Sequence, residues 1–197
     1  MREVELKAVV DDLALRRSLV ERAGALLTLE GKLLDRRYGD SGGNMMNRDH
    51  VLRLRVFESA EGRTASLDWK GPTSFDSGYK VRDEISTHVE DPDALSRILE
   101  NLGFMVILEI ERSIAQYELD GAAIRFEVYP AMDVLVEVEG TPQAIEAAIS
   151  ATGIDRASFT SERLASFVSR YEARTGLRAA LSSRELAGDY AFSRNAT

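Results

Sequence analysis

Polar and apolar residues alternate along most of the first 140 positions, and the alternation predicts strands before any other feature is considered. Glu3-Val4-Glu5-Leu6-Lys7-Ala8-Val9 has strict period two, so Glu3, Glu5 and Lys7 share one face while Val4, Leu6 and Ala8 share the other. Further strands are predicted near residues 26–38, 50–57, 64–70, 79–89, 104–119, 122–129 and 134–139. The intervening segments 39–47, 59–62 and 71–78 are rich in Gly, Ser, Asp and Asn and read as turns and loops, and Asp120-Gly121 reads as a tight hairpin turn. Helical spacing appears after Asp11 or Asp12 as N-cap, running to about Arg22 with Gly24 as the stop. It recurs after Asp91-Pro92-Asp93 through Leu95, Ile98, Leu99 and Leu102, after Thr141-Pro142, and from Ser161 to Thr175. Periodicity weakens from Gly176. The expected organisation is therefore one domain over residues 1–175 and a tail over 176–197 that is loose or folds back as a short helix.

The polar faces of these strands are almost wholly charged. Glu3, Glu5 and Lys7, then Arg53 and Arg55, Lys70, Arg82 and Glu84, Arg112, Arg125 and Glu127, and Glu137 and Glu139 all lie opposite apolar residues. Those apolar faces need a cover, and the available covers are the helices. The fold class is thus α+β, with the apolar side of the sheet turned outward to helices. The charged side faces water, either as an open surface or as the lining of a closed barrel that leaves no strand edge exposed.

Composition sharpens this picture. The chain has 197 residues, 25 Lys+Arg against 33 Asp+Glu, a formal charge of −8, and no cysteine. Disulfides, thiolate zinc sites, iron–sulfur clusters and a cysteine nucleophile are excluded. No stretch approaches the ~18 apolar residues of a membrane span, and the start lacks a signal-peptide pattern, so a cytoplasmic protein without a membrane partner is expected. The acidic excess argues against a surface that coats nucleic acid. His50 and His88 are too few for a multi-histidine metal site, and neither a Walker loop nor a dinucleotide glycine pattern is present. Trp69, alternating with Lys70, is expected on the outer face as core beneath a helix. Asp40 reads equally as a loop cap or a metal neighbour, and Arg170 as a solvated helix residue or a plug at a tunnel mouth.

Converging arginines and lysines suit polyphosphate, because guanidinium forks bind phosphate oxygens in pairs and lysine adds point charge. Converging carboxylates suit a hard divalent cation such as Mg²⁺ or Mn²⁺. The competing reading is a solvated face of cross-strand ion pairs, each worth a few tenths to ~1 kcal/mol.

The ordered motifs carry a resemblance. Glu3-Val4-Glu5-Leu6-Lys7 resembles the ExExK signature of the CYTH family, the triphosphate tunnel metalloenzymes that include class IV adenylyl cyclases, thiamine triphosphatases and inorganic triphosphatases. Tyr38-Gly39-Asp40, Leu52-Arg53-Leu54-Arg55, Lys70-Gly71-Pro72, Arg82-Asp83-Glu84, Leu99 to Phe104, and Glu137-Val138-Glu139-Gly140 resemble the motifs that follow it, in order. The resemblance implies an eight-stranded antiparallel barrel enclosing a tunnel. It implies triphosphate binding by Lys7, Arg53, Arg55, Lys70, Arg82, Arg112 and Arg125. It also implies metal binding, as Mg²⁺ or Mn²⁺, by Glu3, Glu5, Glu84, Glu127, Glu137 and Glu139, with Glu5, Lys7 and Arg55 acting in the chemistry.

The expected activity is metal-dependent hydrolysis of a triphosphate, either inorganic or carried on a nucleoside or thiamine. Class IV cyclisation of ATP is the alternative, and a non-catalytic polyphosphate or nucleotide-binding module the second. The expected partners are the small-molecule triphosphate and, among proteins, a second copy of the chain. Three departures from the family pattern matter. Ile114 stands where a cation is usual, Glu127 stands for a shorter aspartate, and the chain begins at Met1 without the His-Phe and Gly segment typical of class IV cyclases, which lowers the expectation of cyclisation.

Overall fold

The structure, a computed structural model, describes residues 2–76 and 79–192, and for residues 2–4, 76, 79 and 80 only the backbone is described. Nine strands appear among them: β1 (Arg2–Val9), β2 (Leu26–Asp40), β3 (Val51–Ser59), β4 (Gly62–Lys70), β5 (Ser74–Asp76), β6 (Tyr79–His88), β7 (Phe104–Leu119), β8 (Ala122–Val128) and β9 (Leu135–Glu139). Six helices accompany them: α1 (Leu13–Arg22), α2 (Asn44–Asn47), α3 (Pro92–Asn101), α4 (Pro142–Thr152), α5 (Leu164–Thr175) and α6 (Ser183–Leu186). The caps are those the sequence announces. The carboxylate of Asp12 accepts from the Leu15 N–H, that of Asp91 from Asp93 and Ala94, and the Thr141 hydroxyl from Ala144, with proline opening both α3 and α4.

All strand pairings are antiparallel, in the order β1-β9-β8-β7-β2-β3-β4-β6-β5, and β1 also pairs with β6 from Arg2↔Asp83 to Glu5↔Lys80. The pairings thus run round eight strands and return to the first, with β5 as a short flap on β6, so the sheet curls into a tunnel. Beyond Glu5 the β6 pairing stops, and Thr160 takes over the backbone of Lys7 through two 2.8 Å hydrogen bonds. That bridge keeps Thr160 extended and delays the start of α5 to Leu164, three residues after the predicted start.

The apolar faces point outward to helices. Leu6, Ala8, Tyr117, Ile124, Phe126, Val136 and Val138 pack with Val20 of α1 and with Ile145, Ala148 and Ile149 of α4. Tyr38, Leu52, Leu54, Leu67 and Val106 pack beneath Leu95 and Leu99 of α3, and the Tyr38 hydroxyl meets Ser96 Oγ at 2.8 Å. A third cluster lies on the inner side. Ile110 and Leu135, whose register partners Asp35 and Glu127 belong to the charged face, pack with Phe167 and Val168 of α5 and with Leu181. Helix α5 therefore covers one end of the tunnel.

Two loops hold more order than alternation reveals. The segment 39–47 contributes the end of β2 and the single turn α2, and the segment 71–78 contributes β5. Each is too short and too rich in Gly, Ser and Asn to show a period. The described part of the tail folds back: Ala180 pairs with Ala131, the Glu111 N–H donates to the Leu181 carbonyl at 2.7 Å, and α6 follows. Trp69 is on the outer face as expected but only partly buried, its ring edge-on to His50 at 5.3 Å rather than beneath a helix.

Candidate functional site

Register fixes which side chains look inward. Arg53 pairs with Arg37 and Asp68, Arg55 with Asp35 and Ser66, Lys70 with Glu84, Arg125 with Glu137, and Lys7 with Glu137, so one face of the curled sheet collects all of them. The centre of this face is buried, with Asp35 2% exposed, Glu127 3%, and Glu5, Arg53 and Glu137 7% each, while Arg55, Lys70, Glu84 and Arg125 are half-buried. Buried charge is tolerated only when paired. Here the pairing is continuous except at Arg37.

At one side Lys7 Nζ lies 3.0 Å from Glu5 Oε2 and 2.5 Å from Glu137 Oε2, and the other Glu137 oxygen accepts from Arg125. Arg125 is also 3.8 Å from Glu127 and 3.9 Å from Glu139. Glu127 accepts from Arg112 Nε at 2.8 Å and from the Tyr129 hydroxyl at 2.5 Å. Arg112 reaches Asp35 at 3.0 Å, and Asp35 accepts a bidentate fork from Arg55 at 2.8 and 2.9 Å while standing 3.6 Å from Arg53. Arg53 forks onto Asp68, which also accepts from Ser86, and Glu84 lies 3.7 Å from Arg53 and 3.1 Å from Lys70.

One network therefore joins Glu5, Lys7, Arg53, Arg55, Lys70, Glu84, Arg112, Arg125, Glu127, Glu137 and Glu139. Arg82 stands somewhat apart and ties loops together, donating to the Gly71 carbonyl at 2.6 Å and the Asp49 carbonyl at 2.5 Å. The side chain of Glu3 lies outside the described residues. Asp40 caps α2, accepting from Asn44 and Met45, and Arg170 pairs with Glu162 on the exposed side of α5. Ile114 is buried with Leu33 and Phe57 in a small apolar cluster on the inner side.

The network includes residues that alternation alone does not single out, Asp35, Asp68 and Tyr129, and Arg37 lies on the same face beside it. In β2 the run Asp35-Arg36-Arg37 puts charge on both faces, so period two does not say which side is inner. For Asp68 a signal existed, since it lies two residues before Lys70 on the same face.

Opposite charges set the protonation states. Burial opposes ionisation of Asp35, but Arg112, Arg55 and Arg53 outweigh it and hold the carboxyl well below the usual carboxylate range. Burial likewise opposes ionisation of Glu137, and Lys7 and Arg125 overcome it in the same direction. Burial also opposes the charge on Lys7, yet Glu137 and Glu5 raise its pKa above that of a free lysine. Because Asp35 and Glu137 ionise at lower pH folded than unfolded, their stabilisation is complete above the ordinary carboxylate pKa of about 4 and is lost as pH falls through the folded values. Unfolding free energy measured in denaturant is expected to hold from pH 7 to about pH 5 and to drop steadily below. A protein equally stable at pH 3 would contradict this pairing.

Among the described residues no three acidic or histidine side chains converge as a ready-made metal cage. Two carboxylates, Glu5 and Glu137, do converge on a single cationic atom, Lys7 Nζ. A magnesium-like ion commonly takes one or two carboxylates and completes its shell with water and phosphate oxygens, so this all-oxygen donor set fits one.

No protein-family model and no curated protein matches the chain significantly. Solved structures do resemble it. The PH1819 protein of Pyrococcus horikoshii is 22% identical with a TM-score of 0.69, covering 82% of this chain and 94% of its own. A proposed adenylate cyclase of Vibrio parahaemolyticus is 17% identical with a TM-score of 0.71, covering 85% and 97%. A proposed adenylyl cyclase of Hippeastrum, described by a dominant triphosphatase activity, is 13% identical with a TM-score of 0.59, covering 92% and 98%. At these identities the likeness is one of fold, and it agrees with the resemblance carried by the motifs.

Proposed function

We propose, from the premise that this chain has the CYTH-type tunnel fold, that it binds a triphosphate inside the tunnel and hydrolyses it with the help of a divalent metal ion. The observation that carries this reading is the buried inner network, in which Lys7, Lys70, Arg53, Arg55, Arg112 and Arg125 alternate with carboxylates on one continuous face. A set of weak surface pairs does not account for it, because these groups are withdrawn from water at a desolvation cost that only a functional or very well-paired arrangement offsets.

In this reading Arg53, Arg55, Arg112 and Lys70 take the phosphate oxygens. Lys7 and Arg55 stabilise the negative charge that builds on phosphoryl and leaving oxygens as the phosphorus–oxygen bond breaks, and Glu5 orients the attacking water and accepts its proton. Mg²⁺ or Mn²⁺, held by Glu5 and Glu137 with Glu127 and Glu139 nearby, would supply charge neutralisation of the phosphates when bound. The named relatives in fold support a triphosphate-directed activity in general, and the triphosphatase described for the Hippeastrum protein supports hydrolysis.

The test offers tripolyphosphate, ATP and thiamine triphosphate in parallel with either metal and reads phosphate, pyrophosphate and cyclic nucleotide. Phosphate release from at least one substrate is expected. Cyclic AMP with pyrophosphate would replace hydrolysis by cyclisation, and binding of tripolyphosphate without turnover would leave a binding module.

A further inference from the structure

One inner arginine stands outside the ion-pair network. Arg37 lies on β2 two residues beyond Asp35, opposite Arg53 on β3 and Leu108 on β7. Among the described residues no hydrogen bond or ion pair holds it, and its Nε is buried without a partner. The carboxylate whose field reaches it is already committed: Asp35 carries Arg55, Arg112 and Arg53. Burial first, and then the fields of Arg53, Arg112 and Arg82 against the attraction of Asp35, push the guanidinium pKa down to about 10. A register slip on β7 between Leu108 and Val106 follows directly, a bulge of the kind that re-aims side chains. The residue as a whole remains partly exposed although its Nε is buried.

The inference rests on the triphosphate reading. We propose that Arg37 is an additional phosphate-binding residue, kept without a protein partner so that one phosphate group of a polyphosphate ligand becomes its counter-ion. It does not simply stand in for the cation missing at Ile114. Ile114 faces Gly31, whereas Arg37 faces Leu108, six residues away along β7, or roughly 20 Å at the rise of a strand. With an apolar cluster at the Ile114 level and a spare guanidinium at the Arg37 level, the anion sits toward the Arg37, Arg53 end of the tunnel. In the ligand-free protein the same guanidinium is a burden, a desolvated charge among like charges.

This separates binding from stability, and the two are measured together. Tripolyphosphate affinity is taken by calorimetry, without metal and at fixed salt, for the unmodified protein, Arg37→Gln and Arg37→Lys, with orthophosphate as a weak-binding control. Urea midpoints are recorded for each ligand-free protein. Arg37→Gln is expected to bind tripolyphosphate at least 10-fold more weakly, Arg37→Lys to recover part of that loss, and the ligand-free midpoint of Arg37→Gln to be unchanged or higher. Affinity within twofold of the unmodified protein overturns the inference and leaves the triphosphate reading standing. A lowered midpoint or failure to fold overturns it too, because Arg37 would then serve the fold. If the unmodified protein itself binds no tripolyphosphate, the broader reading falls first.

Discussion

Replacing Asp35 by asparagine is expected to cost about 3–5 kcal/mol of folding stability, the scale seen when one member of a buried charge cluster is removed and its partners are left uncompensated. Asp35 is 2% exposed and is the shared counter-ion of three guanidinium groups. Asparagine keeps the shape and one acceptor oxygen but removes the charge, so Arg53, Arg55 and Arg112 would repel one another in a site largely withdrawn from water. Chemical denaturation checks the size of the loss. A second arm is diagnostic of the tunnel's purpose: adding tripolyphosphate should restore more stability to the variant than to the unmodified protein, because the ligand supplies the negative charge that Asp35 no longer does. A variant within 1 kcal/mol of the original would show that the arginines do not depend on this carboxylate.

Glu137→Gln is the second large effect expected. Glu137 joins the two ends of the acidic side, touching Lys7 through one oxygen and Arg125 through the other. Its neutralisation should lower stability by about 3 kcal/mol for the same reason as Asp35, and should reduce metal-dependent triphosphate turnover by at least ~100-fold, the scale of losing one preorganised electrostatic contact. Glu5→Gln separates the two effects. Glu5 meets the same ammonium at 3.0 Å, and Lys7 keeps Glu137 when Glu5 is neutralised. It is expected to lose turnover with a smaller loss of stability. Full activity in either variant, assayed as folded monodisperse protein, would remove these carboxylates from the metal and catalytic roles.

The sheet and its sidedness were legible because alternation is a local property. Glu3-Val4-Glu5-Leu6-Lys7 states its two faces within five residues, and the capping residues Asp12, Asp91 and Thr141 announce helices within one turn. The charged set was legible for the same reason, since an unbroken row of Glu, Lys and Arg opposite Val, Leu and Ile is visible in the chain itself. Asp35 and Arg37 were hidden by their neighbour. Arg36 carries charge on the outer face, where it meets Glu109 at 3.0 Å, so the run has no polar side and apolar side to compare. The inner packing of Ile110 and Leu135 was hidden as well, because only the arrival of α5 from a distant part of the chain makes an inward apolar residue favourable. Thr160 followed the same rule: its extended conformation is dictated by Lys7, not by the residues beside it.

That last contact bears on how the protein reaches its folded state. Lys7 pairs with Glu137, 130 residues further along, and bridges to Thr160, 153 residues further along. Neither partner can form until nearly the whole chain is present, whereas the β3–β4 and β7–β8 hairpins need only short loops. The loop-closure cost of joining β1 must be met before its long-range contacts return anything, which places this protein among slow folders, on the millisecond to second scale or beyond. The hairpins can therefore assemble early as an open charged sheet, and the same late event that seats β1 also brings together Lys7, Glu5 and Glu137. The protein gains its closed tunnel and its candidate catalytic group in one step, so a partly folded chain carries the phosphate-attracting arginines of β3 without the means proposed here to act on what they attract.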